Sequence, residues 1–241
     1  MTKLQDERRS LKCRTRSNCI AVLFFLILVG ACNSPKNPEQ QEKKDPLKYV
    51  NPFIGTKGDN GQLYPGATYP FGLVHLSPET EGKSHVGYYT VTLESGVKTE
   101  LTVSERVGFH RYTFPKEKKK DRYIVLELSH SYVGMLDAHL NVKSNQQITG
   151  MIKSLHNSGG GYHKLYFALI TASPFTSYTS WSDDKKGEVP VRDGNKIGVW
   201  LNFPEDGNNV VQLKVGLSPL SEEQALIEAT TEIPDFNFDK T

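Results

Sequence analysis

Cysteine is scarce in this chain of 241 residues, which contains only three. All of them (Cys13, Cys19 and Cys32) lie near the N-terminus, so the chain after Cys32 can form no disulfide within itself. A domain without disulfides depends on its hydrophobic core, and the residues from 47 onward are numerous enough to form one. Long apolar runs are also lacking. The longest, residues 20–29, has ten residues, well short of the roughly 20 that span a bilayer.

That apolar run belongs to a segment with the pattern of a secretory signal. Six Lys and Arg residues lie within residues 1–16, and the run ends in Val29-Gly30-Ala31-Cys32. A basic leader, a short apolar run and small residues before a cleavage point are typical of a signal peptide. Because Cys32 directly follows the small residues, the site resembles the lipobox of bacterial lipoproteins. Residues 1–32 are therefore predicted to be a lipoprotein signal peptide with Cys32 lipidated. An ordinary signal peptide or a signal anchor is the alternative.

The segment after Cys32 is polar. Residues 33–46 (NSPKNPEQQEKKDP) contain no aromatic residue and are predicted to form a flexible tether. Tether and Cys32 together predict an exported bacterial lipoprotein of the outer membrane or periplasm, with a lipid anchor.

An excess of positive charge is lacking in the rest of the chain. Residues 1–32 hold six of the 29 Lys and Arg residues but only two of the 27 acidic ones, so the remainder is slightly acidic. Since nucleic-acid binding requires a basic patch, no nucleic-acid partner is expected.

Helical patterns are rare after residue 80, where β-branched and aromatic runs alternate with turns. The predicted strands are residues 88–93, 100–104, 107–114, 123–128, 138–142, 147–153, 165–172, 196–203 and 210–217. Short strands separated by turns are typical of an all-β sandwich or barrel. One helix is predicted, at 221–229, because Ser221 is a good N-cap and acidic residues follow it.

Residues 51–80 form an irregular segment with five glycines and four prolines. Both residue types disfavour helix interiors, yet the aromatic residues between them are too many for a disordered tail. An ordered, irregular segment is predicted. Glycine allows close approach of the backbone to a ligand, and proline keeps such a segment open.

Several motifs carry a family resemblance. They are NPFIGT at 51–56, YPGATYPFGLV at 64–74, GYYTVTL at 87–93, TVSERVGFHRYTFP at 102–115 and EIPDFNFD at 232–239. In this order they resemble the N-terminal domain of glycoside hydrolase family 92, which comprises exported bacterial calcium-dependent exo-α-mannosidases. Residues 81–86 lead directly into GYYTVTL, where family members have a longer segment, so an internal deletion is expected.

The resemblance implies an antiparallel β-sandwich at 47–220 and a linker helix within 221–241, leading toward an (α/α)6 catalytic barrel. The barrel, which in the family supplies the general acid and base, is expected to be absent. This predicts no catalytic residue, metal or cofactor in this chain, although the full-length family uses calcium. The implied function is the sandwich of an α-1,2-mannosidase-like enzyme, inactive alone.

The resemblance also implies a sugar-pocket wall at Tyr64, Pro65, Gly66 and Thr68. A second candidate is Trp181, predicted to lie in a Ser/Thr-rich loop where its ring could stack on a sugar, whereas Trp200 is predicted to be core. The expected partners are a mannose-containing glycan and a separate catalytic barrel. The alternative functions are a cell-surface glycan-binding lipoprotein and a non-enzymatic partner domain.

The remaining polar candidates are given structural interpretations. His110 is predicted to be a structural histidine, and Asp183 and Asp184 a charged loop. The other histidines that lack metal-binding spacing are His130, His139, His156 and His163. Phe236 and Phe238 are expected to be exposed and to contact another element.

Overall fold

Antiparallel strands form the framework of the protein. The structure is a computed structural model that describes residues 45–51, 53–54, 66–76, 83–85, 87–116, 122–131, 133–156, 159–205 and 207–241. Residues 47–241 form one unit; of residues 1–46, only Asp45 and Pro46 are described. Cys32 and almost all of the predicted signal and tether lie outside the described residues. Within the described chain, no helix has the length and hydropathy needed to cross a membrane.

The described residues contain fifteen strands and one α-helix. In chain order the strands are β1 (Ala67–Thr68), β2 (His75–Leu76), β3 (Lys83–His85), β4 (Tyr88–Thr92), β5 (Lys98–Val103), β6 (Val107–Thr113), β7 (Tyr123–Glu127), β8 (Met135–Val142), β9 (Gln147–Leu155), β10 (Tyr162–Thr171), β11 (Ser177–Ser182), β12 (Lys185–Gly187), β13 (Val191–Gly194), β14 (Ile197–Asn202) and β15 (Val210–Ser218). Helix α1 is Glu222–Thr231, and short 3-10 helices occupy Pro46–Tyr49 and Phe238–Lys240.

Two sheets form the layers of the fold. The large sheet has nine strands in the order β13-β8-β9-β10-β15-β6-β5-β4-β3, and the small sheet has four in the order β12-β11-β14-β7. Leu140 and Ile148 of the large sheet and Val199 and Leu201 of the small sheet are fully buried in one cluster. The predicted all-β fold, an antiparallel β-sandwich with a short C-terminal helix, is confirmed.

All nine strands predicted from the sequence are present, but six others were missed. β1, β2 and β3 are only two or three residues long. The residues of β11, β12 and β13 are mainly Ser, Thr, Lys and Asp, which lack the apolar alternation of a strand. The prediction of a loop at Trp181 was wrong, because Trp181 lies in β11, which pairs with both β12 and β14. Asp183 forms the turn between β11 and β12 with a φ of 50°, a conformation that Asp tolerates better than most residues.

Helix α1 begins as predicted. The Ser221 hydroxyl accepts a hydrogen bond from the Gln224 backbone N–H at 3.1 Å, so it caps the helix. The helix lies on the outer face of the large sheet, where the fully buried Ala225 and Ala229 face Gly216 of β15. A Cβ atom at Gly216 would lie 2.1 Å from the Ala225 carbonyl oxygen. This close approach therefore requires glycine in β15.

The chain after α1 continues along the same outer face. Phe238 is 5% exposed and its ring centre lies 5.1 Å from that of Phe109, while the Phe236 ring centre lies 5.9 Å from it. The Lys214 ammonium donates a hydrogen bond to the Ile233 carbonyl oxygen. The expectation that Phe236 and Phe238 are exposed was wrong, because both rings pack back onto the sheet they follow in sequence.

Replacement of Gly216 by alanine should destabilise the protein. Because the added Cβ meets helix backbone, α1 must shift, and overpacking of this kind costs about 2 kcal/mol. Gly187→Ala is the matched control, since the nearest atoms to its Cβ lie 3.9 Å away. Urea denaturation should give a lower free energy of unfolding for Gly216→Ala and a near-normal value for Gly187→Ala. Equal values for the two variants would contradict the close contact.

Candidate functional site

A pocket of about 490 Å³ lies at one end of strands β4 and β5. The residues that line it include Thr68, Tyr69, Tyr88, Thr102, Phe238 and Asp239. They come from four segments that are far apart in sequence: the Gly/Pro-rich segment, the GYYTVTL motif, the TVSERVGFHRYTFP motif and the C-terminal motif. The pocket is therefore the place where the fold brings the motifs together.

Two of the four predicted wall residues are described. Thr68 lines the pocket. Gly66 directly precedes β1, and a Cβ atom there would lie 2.1 Å from the Leu76 carbonyl oxygen of β2. Gly66 thus lets the chain pass close to β2 just before Thr68 reaches the pocket. Tyr64 and Pro65 lie outside the described residues, and a sugar-binding role for all four stays a prediction.

Glu100 lies in β5, next to the pocket residue Tyr88, and is 5% exposed. Arg111 donates to both of its carboxylate oxygens, from Nε to Oε2 and from Nη2 to Oε1, each at 2.9 Å. Tyr88 Oη also donates to Oε1 at 2.9 Å, and Lys98 Nζ lies 2.9 Å from the same oxygen. The Arg111 hydrogen bonds are the main reason that the pKa of Glu100 falls to about 2.

Arg111 also holds the C-terminal segment. Its Nη1 donates to Asp239 Oδ1 at 2.9 Å, and its guanidinium carbon lies 4.3 Å from the centre of the Phe238 ring. One side chain thus joins β5, β6 and the segment that closes the pocket. We call Glu100, Arg111 and Asp239 the arginine clamp.

The carboxylates of the arginine clamp are not arranged as a glycosidase acid and base. Such a pair flanks the scissile bond, with space for a water molecule in an inverting enzyme. Glu100 and Asp239 instead share one guanidinium, and Glu100 stays ionised down to about pH 2. Glu100 therefore has a structural role. Asp239, whose side chain is 78% exposed, remains free on its solvent side to accept hydrogen bonds from a ligand.

His110 fits its structural interpretation. Its Nδ1 lies 2.9 Å from Tyr112 Oη. Burial lowers the pKa of His110 to about 4 and raises the pKa of Tyr112 well above its ordinary range. His110 is therefore neutral at physiological pH.

Other histidines are engaged in local pairs. His139 Nδ1 lies 2.7 Å from Asp193 Oδ1, and His163 Nε2 lies 2.9 Å from the Ser154 hydroxyl. Across the described ranges, no group of three or more His, Cys, Asp or Glu residues is placed to hold a metal ion.

Trp181 lies on the other layer of the sandwich, on the outer face of the small sheet. Its indole covers Gly198, and its ring centre lies 4.5 Å from that of Trp200. The prediction that Trp200 is core was wrong, because Trp200 is partly exposed while its neighbours Val199 and Leu201 are buried. Strict alternation along β14 could have revealed this, since every second residue of a strand faces the same side.

Three of the four motifs that form the pocket also identify the domain, because they lie within the residues that a family model matches. A family model, the glycosyl hydrolase family 92 N-terminal domain, matches residues 49–85 and 80–218, which is more than half of the chain. This chain belongs to glycosyl hydrolase family 92. The predicted family resemblance is confirmed.

Family 92 structures share this fold. An alpha-mannosidase of family GH92 from Bacteroides thetaiotaomicron is 20% identical and has a TM-score of 0.71, over 80% of this chain and 36% of its own. The GH92 family glycosyl hydrolase CcMan5 is 22% identical and has a TM-score of 0.59, over 68% and 23% of the two chains. An uncharacterized secreted glycosidase from Arthroderma benhamiae is 25% identical, over 83% of this chain and 36% of the fungal protein. This family 92 chain thus spans about a third or less of the length of these relatives.

The family match also bears on the expected internal deletion. Its two segments meet at residues 80–85, where the sequence leads directly into GYYTVTL. The alignment with the fungal relative runs over 287 residues, more than the 241 of this chain, so the relative has residues without a counterpart here. Both observations fit a family 92 domain that lacks an internal segment.

Loss of the Glu100 carboxylate should weaken the family 92 sandwich in a pH-dependent way. Folding favours ionised Glu100, because its pKa is about 2 instead of the ordinary 4.5. This stabilisation is complete above about pH 4.5 and is lost as the pH falls toward 2. Glu100→Gln should cost on the order of 2 kcal/mol at pH 7, and its stability should fall less on acidification.

Urea denaturation at pH 7, 4.5 and 3 measures this effect. The control is Glu94→Gln, since Glu94 is solvent-exposed and should behave like the wild type. If the free energy of unfolding of Glu100→Gln at pH 7 equals that of the wild type, the arginine clamp does not hold the fold.

Proposed function

We propose that this chain is the N-terminal β-sandwich of an exported, α-1,2-mannosidase-like glycoside hydrolase that acts on α-mannosides of glycans. The observation that carries the proposal is the pocket, at which three motifs inside the family 92 match converge with the C-terminal motif. The chain forms one wall of a sugar site, and a catalytic domain supplies the acid and the base.

Three groups of the pocket suit a sugar. The Tyr69 side chain is 48% exposed, so its ring is available to a pyranose face. Thr68 and Asp239 are exposed and offer a hydroxyl and a carboxylate to sugar hydroxyl groups. Phe238 and Tyr88 close the pocket from beneath, with their ring centres 6.4 Å apart. These residues bind and orient a sugar. An inverting glycosidase reaction would in addition need a water molecule activated by the general base.

Calcium is implied by the resemblance and needs about six to eight oxygen ligands. In the described part of the chain no group of three or more His, Cys, Asp or Glu is placed to hold a metal ion, and both Glu100 oxygens accept hydrogen bonds from Arg111. The described residues do not fit a calcium ion by themselves. We assign no step of the reaction to calcium, and the absence of a cofactor from this chain stays a prediction.

An exposed apolar patch beside the start of α1 suits the catalytic domain as a partner. It comprises Phe71, Leu73 and Leu220, which are 106%, 48% and 74% exposed and line one cavity of about 510 Å³. Exposed apolar patches of this kind mark interaction sites. This patch replaces Phe236 and Phe238 as the proposed contact surface.

The backbone at Phe71 supports a functional role for the patch. Its φ is 61°, in the left-handed region that costs a bulky residue free energy. The turn is held by hydrogen bonds from Gly72 N to Tyr69 O at 2.9 Å and from Leu73 N to Glu105 O at 2.7 Å. Folding therefore presents an aromatic ring to solvent at a conformational cost, which a contact with a partner would offset.

Export is proposed from two observations. The leader has the pattern of a signal peptide ending at Cys32, and the fungal relative is described as secreted. We propose lipidation at Cys32 and a location in the outer membrane or periplasm.

Two alternatives remain as proposals. A non-enzymatic partner domain would use the same apolar patch with a separately encoded barrel. A cell-surface glycan-binding lipoprotein needs no catalysis and depends on a different surface, the outer face of the small sheet.

The purified chain alone should release no mannose from α-1,2-mannobiose in the presence of calcium, because the described residues offer no acid–base pair. The same tagged chain, captured from its source cells, should bring α-mannosidase activity with it. Phe71→Ser combined with Leu73→Ser should reduce the captured activity by about tenfold, since apolar contacts in an interface core carry much of its binding energy.

Tyr162→Ser is the control, as Tyr162 is 54% exposed and lies outside the apolar patch. Mannose release by the purified chain would contradict its inactivity alone. Captured material without α-mannosidase activity would contradict the assignment as part of such an enzyme.

A further inference from the structure

The two outer faces of the sandwich differ in what covers them. Helix α1 lies on β9, β10 and β15 of the large sheet, and the C-terminal segment packs onto β6. On the small sheet, Tyr123 is 51% exposed and Val125 is 44% exposed, both pointing outward. The outer face of the small sheet is therefore open to solvent at its β7 edge, despite its aromatic residues.

The strand register places three of its aromatic side chains in one diagonal row, with Val125 beside the row. Trp200 is paired with Val125, Trp181 lies diagonal to Trp200 on β11, and Tyr123 lies diagonal to Trp200 on β7. We call Trp181, Trp200, Val125 and Tyr123 the tryptophan strip. From strand spacing and rise, the strip extends over about 16 Å, the length of a short run of sugar units.

Polar side chains flank the tryptophan strip on both sides. Thr179, Ser177 and Asn202 lie on one side, where Asn202 Nδ2 donates to Ser177 Oγ at 3.1 Å. Glu127 lies on the other side, and Lys186 Nζ lies 4.9 Å from the Trp200 ring centre. Counting only the residues that the structure describes, one acidic and one basic residue leave this face without net charge.

A groove adjoins the tryptophan strip at the β7 edge of the small sheet. Tyr123 and Val125 also line an apolar groove of about 340 Å³, together with Val97, Tyr112 and Pro115. The tryptophan strip is thus continuous with a concave space at its β7 end, which would seat the end of an extended ligand.

We propose that the tryptophan strip binds a neutral glycan chain, at a site separate from the pocket near Thr68. The C–H faces of pyranose rings pack on indole and phenol rings, while their hydroxyl edges reach Thr179, Ser177, Asn202 and Glu127. Among the described residues of this face, the charge of Lys186 is balanced by that of Glu127, which favours a neutral glycan over a nucleic acid or an anionic polysaccharide. The proposal does not depend on the mannosidase assignment, since binding at this face needs no catalytic domain.

The sequence supplies a reporter for this site alone. The chain has two tryptophans, and both belong to the tryptophan strip. Intrinsic tryptophan fluorescence of the full chain should therefore change saturably on titration with soluble α-mannan, laminarin or dextran. A response to at least one of these neutral polysaccharides is expected.

Paired variants locate the binding site. Tyr123→Ala should weaken glycan binding about fivefold through loss of one stacking ring. Tyr162→Ala, which removes a tyrosine of similar exposure (54% against 51%) from the large sheet, should change it less than about twofold. Thermal unfolding of both variants checks that the fold is kept.

Four results would overturn the proposal. They are no fluorescence change with any of the three polysaccharides, equal weakening by Tyr123→Ala and Tyr162→Ala, binding of polygalacturonate in preference to the neutral chains, and a change that follows protein concentration. The last would identify the tryptophan strip as a contact between two copies of this chain. Loss of mannosidase activity from captured material would leave the glycan titration unaffected.

Discussion

The fold of the pocket end depends on one guanidinium group. Arg111 in β6 binds both oxygens of Glu100 in β5 and one oxygen of Asp239, and its plane lies against Phe238. A carboxylate as buried as Glu100 would be costly without such partners, because desolvation disfavours the charged form. The arginine clamp therefore fixes the position of Phe238 and Asp239 against the sheet, and with them the base of the pocket.

Around the arginine clamp, each layer of the sandwich is covered differently. The inner faces of the two sheets bury one another, and α1 with the following segment buries the outer face of the large sheet. Gly216 permits the close approach of α1, just as Gly198 permits Trp181 to lie flat on the small sheet. The exposed apolar side chains include Tyr123 and Val125 of the tryptophan strip, whose two tryptophans are partly exposed, and the apolar patch of Phe71, Leu73 and Leu220.

The sequence predicted those elements whose determinants are local. Apolar alternation revealed nine strands, and Ser221 marked the start of α1 because a cap acts within one turn. Non-local determinants stayed hidden. The pairing of Glu100 with Arg111 follows from the register of β5 and β6, and the burial of Phe238 follows from the direction in which α1 returns the chain. Thr68 was predicted from its motif, whereas only the fold shows that Tyr69 and Asp239 lie in the same pocket.

The proposed function makes this family 92 sandwich one wall of a two-domain glycosidase site. The most direct measurement is the mass of the native protein in its source cells, by immunoblot and native mass spectrometry with an antibody against the sandwich. The account predicts a species well above 27.0 kDa, as one long polypeptide or as a complex with a second chain. A free monomer near the mass of the chain without its leader would contradict the two-domain account.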